Sequence, residues 1–281
     1  MKFTKMQGCG NDYVYINGFE VKIPMEEKPD VVRRLSDRHY GVGADGAIFI
    51  NPSDEADFEM EMYNADGSRS EMCGNGIRCV AKFVYDKGLT DQTSISVISA
   101  GKVKYLDLTV EDHKVTCVRV NMGSPILKPE EIPVLLPQAA DHAVNVPIVV
   151  KGREYRMTCV SMGNPHAVIF TEHVAQLELE AMGADFENHS YFPNRTNTEF
   201  VEVLDRKTVS MRVWERGTGE TLACGTGCCA TAVACILNGF TENTITVNVL
   251  GGKILVEWDR EENLIYMTGP AATVFEGEID L

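Results

Sequence analysis

The chain has 281 residues and a formal net charge of −15 at pH 7, and such an acidic surface disfavours nucleic acid or an anionic membrane as a partner. No apolar run approaches the roughly 20 residues of a membrane-spanning helix, and the segment after Met1 lacks the character of an export signal. We therefore expect a cytoplasmic protein that acts on a small molecule, with neither nucleic acid nor membrane as partner.

Nine cysteines are scattered along the chain. An odd number, in a chain long enough to bury a core without cross-links, is typical of a reducing compartment. Their spacings lack the paired Cys-x-x-Cys motifs of zinc sites, so we expect no bound metal. Most of them are expected to be small buried side chains. Cys73 and Cys224 differ from the others because each directly precedes a Gly-x-Gly turn.

The first part of the chain predicts short strands and one amphipathic helix. Runs of β-branched and aromatic residues predict strands at 12–17, 46–50, 58–63, 94–98 and 103–110. Residues 29–41 begin with Pro-Asp, carry apolar residues at helical spacing and reach Gly41, which predicts a helix over this range.

Each Gly-x-Gly turn leads into a further predicted helix. After Cys73, apolar residues recur at helical spacing as far as a stop at Gly88. The segment after Cys224 is apolar on nearly all sides as far as Gly239. Because a helix with no polar face must be buried, we expect each of these helices to lie inside a curled sheet.

Several features of the chain occur twice at nearly the same spacing. The two cysteines are separated by 151 residues (224 − 73), and an aromatic residue stands ten positions before each of them. Matching Gly-Lys pairs and Gly-Asn pairs lie downstream and upstream, the latter at a spacing of 153 (164 − 11). Such self-similarity indicates a duplicated architecture. We predict an α/β (α+β) fold of two pseudosymmetric halves, each a curled, mostly antiparallel sheet around a central buried helix.

The repeat also predicts where the halves begin and end. Residues 1–124 plus 270–281 are expected to form the N-terminal half that carries Cys73, with the last strand at 273–281 returning to complete it. Residues 125–269 are expected to form the C-terminal half that carries Cys224. Because residues 125–150 are rich in proline and acidic residues, they are interpreted as the crossing between the halves.

A cysteine at the first turn of a helix lies near the positive end of the helix dipole, which favours the thiolate. The glycines that follow allow backbone N–H groups to approach an anion such as a carboxylate. One such turn alone is more typical of a tight helix cap. Two at matched positions could place thiols on opposite sides of one α-carbon, so that one removes a proton and the other returns one.

Five segments together resemble the motif set of the diaminopimelate epimerase family, in order and along essentially the whole chain: MQGCGNDYVYI, MYNADGSRSEMCGNGIRC, SMGNPHAVIF, NRTNTEF and VWERGTGETLACGTG. The resemblance implies interconversion of LL- and meso-2,6-diaminopimelate without pyridoxal phosphate or another cofactor. It also implies two pseudosymmetric halves, a homodimer and a role in lysine and peptidoglycan precursor synthesis.

The resemblance also implies roles for individual residues. It makes Cys73 and Cys224 the two acid-base thiols. The family's substrate contacts match Asn11, Asn64, Gly74, Asn75, Asn164, Asn197, Glu215, Arg216, Gly225 and Thr226, and supporting positions match His166, Gly76 and Gly227. Taken singly, the asparagines are typical turn formers, the arginine is typical of a surface ion pair and the histidine of a strand end. Gly46 departs from several relatives, which carry glutamine there, and is left out of the predicted site.

Other functions remain open at this point. Proline racemase-like enzymes share the paired cysteines but typically carry histidine where this chain has Asn75. A related racemase of another amino acid, such as histidine, differs only in a few pocket residues. A thiol redox protein or a non-catalytic binding protein on the same scaffold is a different class. Binding alone would not need two thiols, and redox use would predict reversible inactivation on mild oxidation.

Overall fold

The computed structural model describes residues 1–70, 73–138 and 140–280. The chain divides into two compact units, one comprising Met1–Val120 with Thr268–Leu281 and the other comprising Asn121–Met267. Glu71 and Met72 of the first cysteine motif, and Leu281 of the predicted last strand, lie outside the described residues. Within these ranges, no helix has the length and hydropathy needed to cross a membrane.

The first part of the chain supplies eight strands and two helices. In chain order these are β1 (Lys2–Gly8), β2 (Asn11–Asn17), α1 (Lys28–Ser36), β3 (Gly46–Asn51), β4 (Phe58–Asn64), β5 (Arg69–Ser70), α2 (Gly74–Asp86), β6 (Ser94–Ser99), β7 (Lys102–Glu111) and β8 (Lys114–Gly123). The predicted strands are therefore all present.

The remainder of the chain supplies β9 (Val146–Val150), β10 (Arg153–Ser161), β11 (Pro165–Phe170), α3 (Gly183–Glu187), β12 (Asn197–Asp205), β13 (Thr208–Glu215), β14 (Gly219–Thr221), α4 (Gly225–Leu237), β15 (Thr244–Val249), β16 (Gly252–Asp259), β17 (Leu264–Pro270) and β18 (Ala272–Glu278). Short 3-10 turns occur at Pro129–Glu131, Val174–Gln176 and Leu179–Ala181. The segment predicted as a crossing, 125–150, thus contains a turn and the strand β9, which pairs with β10.

Strand pairing repeats from one unit to the other. In unit 1 the strands pair in the order β18, β1, β2, β3, β4, β6, β7, β8, and only β2 with β3 and β4 with β6 are parallel. In unit 2 the order is β9, β10, β11, β12, β13, β15, β16, and the parallel pairs are β11 with β12 and β13 with β15. This duplicated, mostly antiparallel topology confirms the predicted fold class.

The helices that follow the two cysteines, α2 and α4, are buried along most of their length. In α2 every residue from Gly74 to Val84 is buried, and in α4 every residue from Gly227 to Cys235 is buried. The α4 helix packs against strands of its own unit, namely β10, β11, β12, β13, β15 and β16. Because apolar residues occupy nearly every side of α4, enclosure by the sheet removes them from water as far as Cys235.

The first helix ends earlier than predicted. The sequence predicts a helix over 29–41, but α1 ends at Ser36 and Asp37 adopts an extended conformation. The Asp37 carboxylate accepts hydrogen bonds from the backbone N–H groups of His39 and Tyr40, at 2.7 and 2.8 Å. The physical reason is local: an aspartate side chain that binds the backbone two and three residues ahead competes with helical hydrogen bonding, so Gly41 lies in a turn.

Candidate functional site

Cys73 lies at the N-cap of α2. Its backbone is extended, with φ −130° and ψ 114°, and its Sγ accepts a hydrogen bond from the N–H of Gly76 at 3.3 Å. The thiol also donates to Oδ1 of Asn11, which begins β2, over 3.1 Å. The sulfur of this half-buried cysteine is therefore held between a backbone donor and an amide acceptor.

A polar chain that the sequence did not predict extends behind Asn11. The Nδ2 of Asn11 donates to Oδ2 of Asp45 at 2.8 Å, and the guanidinium of Arg38 donates to Oδ1 of the same carboxylate at 2.9 Å. Arg38 also pairs with Asp12. Because a carboxylate only accepts hydrogen bonds, the amide NH2 of Asn11 faces Asp45 and its carbonyl oxygen faces the thiol.

The Gly-Asn-Gly turn after Cys73 is closely packed. A Cβ atom added to Gly76 would lie 2.9 Å from Cδ1 of Ile48 on β3. The carbonyl oxygen of Gly76 accepts a hydrogen bond from the buried Tyr15 hydroxyl at 3.2 Å, and that of Gly74 accepts one from Arg78 at 3.0 Å. Asn75 is 2% exposed in the same turn. The turn therefore has little room for larger residues.

Asn64 lies at the end of β4, and the hydrogen bonds found for its Nδ2 and backbone N–H both lead into the turn that follows. They reach the Oγ and carbonyl oxygen of Ser68, at 3.0 and 2.9 Å. Position 46 admits no side chain with this backbone, because a Cβ there would lie 2.0 Å from the carbonyl oxygen of Tyr63. The structure thus accounts for glycine at this departure from several relatives.

Cys224 occupies the equivalent place in unit 2, at the N-cap of α4. Its backbone is again extended, with φ −116° and ψ 114°. The sulfur lies 3.5 Å from Oγ1 of Thr226, in the first turn of the helix after Gly225. The residue is only 6% exposed. The two thiols therefore share a backbone position and differ in their surroundings.

The ionisation of Cys224 is opposed by its environment. Burial raises the pKa of this thiol well above its ordinary value, and the carboxylates of Glu215 and Glu199 raise it further, while Thr226 and the N–H of Gly227 act in the opposite direction. Burial also raises the pKa of Glu215, against hydrogen bonds from Thr221 and Cys224. The surroundings of Cys224 therefore favour its thiol form over the thiolate.

Behind Cys224 stands a buried pair that includes a residue the sequence did not predict. The Nδ1 of His166 lies 2.7 Å from Oε1 of Glu199, and both side chains are fully buried. The other ring nitrogen lies 3.1 Å from Oδ1 of Asn164, whose Nδ2 donates to Oγ1 of Thr226 at 3.3 Å. In the sequence, the only sign of this role was that Glu199 is a charged residue next to the apolar residues of β12.

Two further predicted residues bind the backbone rather than the thiols. Asn197 donates to the carbonyl oxygen of Pro165 and accepts from the N–H of Arg216, both at 2.9 Å. The Arg216 side chain donates to the carbonyl oxygen of Asn194 at 3.1 Å.

Unit 1 therefore gathers Asn11, Cys73, Gly74, Asn75 and Gly76, and unit 2 gathers Asn164, His166, Glu215, Cys224, Gly225, Thr226 and Gly227. Across the described ranges, no three His, Cys, Asp or Glu side chains are placed to hold a metal ion.

Comparison with known proteins agrees with these motifs. The sequence profile described as diaminopimelate epimerase matches residues 3–128 and 158–274. A protein named diaminopimelate epimerase from Agathobacter rectalis is 57% identical, with all of each chain covered. The protein of that name from Acetivibrio thermocellus is 53% identical, covering 100% of this chain and 99% of that protein.

Solved structures share the fold at much lower identity. A probable proline racemase from Agrobacterium radiobacter has a TM-score of 0.73 at 14% identity, covering 100% of this chain and 93% of that one. A phenazine biosynthesis protein of the PhzF family from Bacillus anthracis has a TM-score of 0.72 at 16% identity, covering 100% and 99%. The curated relatives share more than half of their residues with this chain over its full length, whereas these solved structures share its fold at 14–16% identity. The chain therefore belongs to the diaminopimelate epimerase family and is an isomerase.

Proposed function

We propose that this protein converts LL-2,6-diaminopimelate to meso-2,6-diaminopimelate by proton transfer between Cys73 and Cys224, in lysine and peptidoglycan precursor synthesis. The observation that carries the proposal is the matched position of the two thiols. Each is an extended N-cap residue directly before a Gly-x-Gly helix start, in units of the same strand order. Curated relatives at 53–57% identity bear the name of this activity.

Inversion of a stereocentre needs one base and one acid on opposite faces of the α-carbon. In the proposed reaction a thiolate takes the α-proton, the electron pair of that C–H bond delocalises into the carboxylate, and the other thiol delivers a proton to the opposite face. The raised pKa of Cys224, which results mainly from burial, supports a starting state in which Cys224 is the acid and Cys73 the base. The reverse reaction exchanges the two roles.

Thiol acid-base chemistry supplies only part of the required rate. Positioned proton transfer contributes roughly 10²- to 10⁴-fold, whereas the α-proton of an amino acid is a very weak acid. We propose that the first-turn N–H groups after each cysteine, in Gly74–Asn75–Gly76 and Gly225–Thr226–Gly227, stabilise the charge that develops on the carboxylate. Such preorganised donors act at the oxygens where negative charge accumulates, so no cofactor has to carry it.

The remaining polar residues are proposed to hold the substrate. Asn11 and Asn164, each hydrogen-bonded beside a thiol or its helix turn, would contact the reacting end, together with Glu215 and His166. Arg216 would bind the distal carboxylate, because a planar guanidinium matches a carboxylate with two parallel hydrogen bonds. Asn64 and Asn197 would complete these contacts. The side chains of Asn64, Asn197 and Arg216 bind nearby backbone or turn groups.

We further propose that the protein works in the cytoplasm as a homodimer. A reducing cytosol keeps both proposed catalytic thiols available. Apolar side chains on β18 support an interface, since Val274 is 56% and Phe275 46% exposed. Light scattering coupled to size-exclusion chromatography should give a mass close to twice that of one chain.

The substrate assignment is tested by incubation in deuterium oxide. With LL-diaminopimelate, we expect the α-proton to be replaced by deuterium and the stereochemistry to change, as followed by NMR and chiral chromatography. Histidine, lysine and proline serve as controls and should show neither change. If only one of these control amino acids showed exchange and inversion, the assignment of diaminopimelate as the substrate would be wrong.

A further inference from the structure

A chain of hydrogen bonds links the buried carboxylate of Glu199 to the thiol of Cys224. Glu199 contacts His166 over 2.7 Å, His166 contacts Asn164 over 3.1 Å, and Asn164 contacts Thr226 over 3.3 Å. The hydroxyl of Thr226 completes the chain at 3.5 Å from the sulfur of Cys224. The chain thus connects strands β12 and β11 with the first turn of α4.

The chemistry of these groups gives the chain a direction. A carboxylate only accepts, and Oδ1 of Asn164 only accepts, so with this amide orientation each ring nitrogen of His166 faces an acceptor. The Nδ2 of Asn164 then donates to the oxygen of Thr226. Because that oxygen already accepts a hydrogen bond from the amide, the hydroxyl hydrogen of Thr226 can point toward the sulfur of Cys224.

Among the described residues of unit 1, no matching chain leads from a buried carboxylate to the thiol of Cys73. At the repeat spacing of 151 (199 − 48), Ile48 occupies the position of Glu199, and both residues lie under the second glycine of the Gly-x-Gly turn. A Cβ on Gly227 would lie 2.7 Å from Oε1 of Glu199, just as one on Gly76 would lie 2.9 Å from Ile48. The amide of Asn11 is also turned the other way, with its oxygen toward the thiol. Within the described residues, the chain from Glu199 to Thr226 therefore has no counterpart at Cys73, where Asn11 leads instead to Asp45 and Arg38.

We propose that Glu199 is a positioning residue, which acts through His166 and Asn164 to hold the Thr226 hydroxyl as a hydrogen-bond donor to Cys224. This inference rests on the proposed acid-base role of Cys224. It explains why a fully buried carboxylate lies in β12, where Oε2 has no hydrogen-bond partner within the described part of the chain. Burial of a carboxylate with one unpaired oxygen lowers the stability of the fold. We therefore expect Glu199 to have a role in organising its neighbours.

Four titratable groups lie in or next to this chain. They lead to two opposite predictions for how removal of the Glu199 charge changes the pKa of Cys224. Glu215 on β13 and Glu199 on β12 face Cys224, His166 on β11 faces both carboxylates, and Cys159 on β10 faces Glu199. If Glu199 were only a nearby negative charge, its removal would favour the thiolate. If it holds the chain, its removal lets Asn164 turn, and the thiolate loses the Thr226 donor.

The deciding experiment is a pH titration of Cys224 in the ligand-free protein. Thiolate ultraviolet absorbance is recorded for the protein and for Glu199→Gln, each minus its Cys224→Ser counterpart. We expect Glu199→Gln to raise the pKa of Cys224 by about one unit, comparable to one hydrogen bond. Thr226→Val should give the same rise, and the double variant no further rise. Glu202→Gln, the same change on the same strand, is the matched control and should leave the titration unchanged.

A downward shift, or none, in Glu199→Gln would contradict the proposal, as would additive shifts in the double variant. Should Glu199→Gln fail to reach the native fold, His166→Gln breaks the same chain and must give the same rise. Because the titration needs no substrate, its outcome is independent of the proposed activity. A protein that shows the predicted titration but no epimerisation would refute the proposed function and leave this inference standing.

Discussion

At the scale of single residues, Cys73 and Cys224 have the same backbone geometry and different electrostatic surroundings. Cys73 is half-buried and its sulfur accepts a backbone N–H. Cys224 is buried, and the pKa of its thiol is raised by burial and then by the carboxylate of Glu215. Equal positions with unequal environments suit a reaction that needs one thiolate and one thiol at the start.

Glu215→Gln tests this electrostatic account. Removal of the negative charge beside Cys224 should lower the pKa of this thiol by about one unit, so that its thiolate forms at lower pH. The direction is opposite to that expected for Glu199→Gln. Thiolate absorbance, recorded as a difference from the Cys224→Ser form of each protein, measures the shift. An unchanged titration would mean that burial alone raises the pKa.

Sequence reasoning proposed the candidate site residues but missed some of the residues that contact them. Each Gly-x-Gly pair indicated a close-packed turn, and so drew attention to the cysteine directly before it. Both of these cysteines, Cys73 and Cys224, lie at helix N-caps. Glu199 and Asp45 were missed because their roles depend on partners on other strands. His166 pairs with Glu199 through strands joined only in the folded sheet, so local sequence could not reveal the contact.

At the scale of elements, the sheet of unit 2 closely encloses the helix that follows Cys224. The α4 helix presents small residues to six strands, and Ala230, Ala232 and Ala234 are fully buried. Small side chains let strands approach the helix axis closely, which leaves no space for larger ones. The apolar periodicity predicted this burial, whereas the end of α1 depended on the side chain of Asp37.

Ala232→Leu should show how tightly this helix is enclosed. Three additional carbons at a fully buried position are expected to lower the free energy of unfolding by about 1–3 kcal/mol, because neighbouring side chains must leave their preferred rotamers. Urea denaturation followed by circular dichroism measures the change. Arg34→Leu, which introduces the same residue on the exposed side of α1, should change it by less than about 0.5 kcal/mol. Equal costs would argue against a closely packed α4.

At the scale of the whole molecule, the duplicated strand order was predictable because matched segments recur at nearly constant spacing. The exact limits of the units were less predictable. The sequence predicted the boundaries after residues 124 and 269, whereas the compact units divide after Val120 and Met267. The transitions fall within β8 and β17, and a continuous strand carries no local signal of where one unit ends.

Deletion of β18 tests how unit 1 is completed. This strand pairs with β1 from Lys2 to Gln7, and Phe275 packs edge-on against Phe3 with ring centroids 5.9 Å apart. A chain that ends at Ala271 should therefore unfold in two steps, with unit 1 losing stability and unit 2 retaining its own transition. Differential scanning calorimetry resolves the steps. Removal of residues 280–281 alone should leave a single transition, and a single unshifted transition in the longer deletion would contradict this view of β18.

The most direct test of the proposed mechanism compares Cys73→Ala and Cys224→Ala with the unaltered protein. Each variant should keep its circular dichroism spectrum yet lose conversion of LL- to meso-diaminopimelate in deuterium oxide, because one thiol cannot serve both faces of the α-carbon. Chiral chromatography of the product measures the conversion. Epimerisation at near-normal rate in either single variant would contradict the two-thiol account.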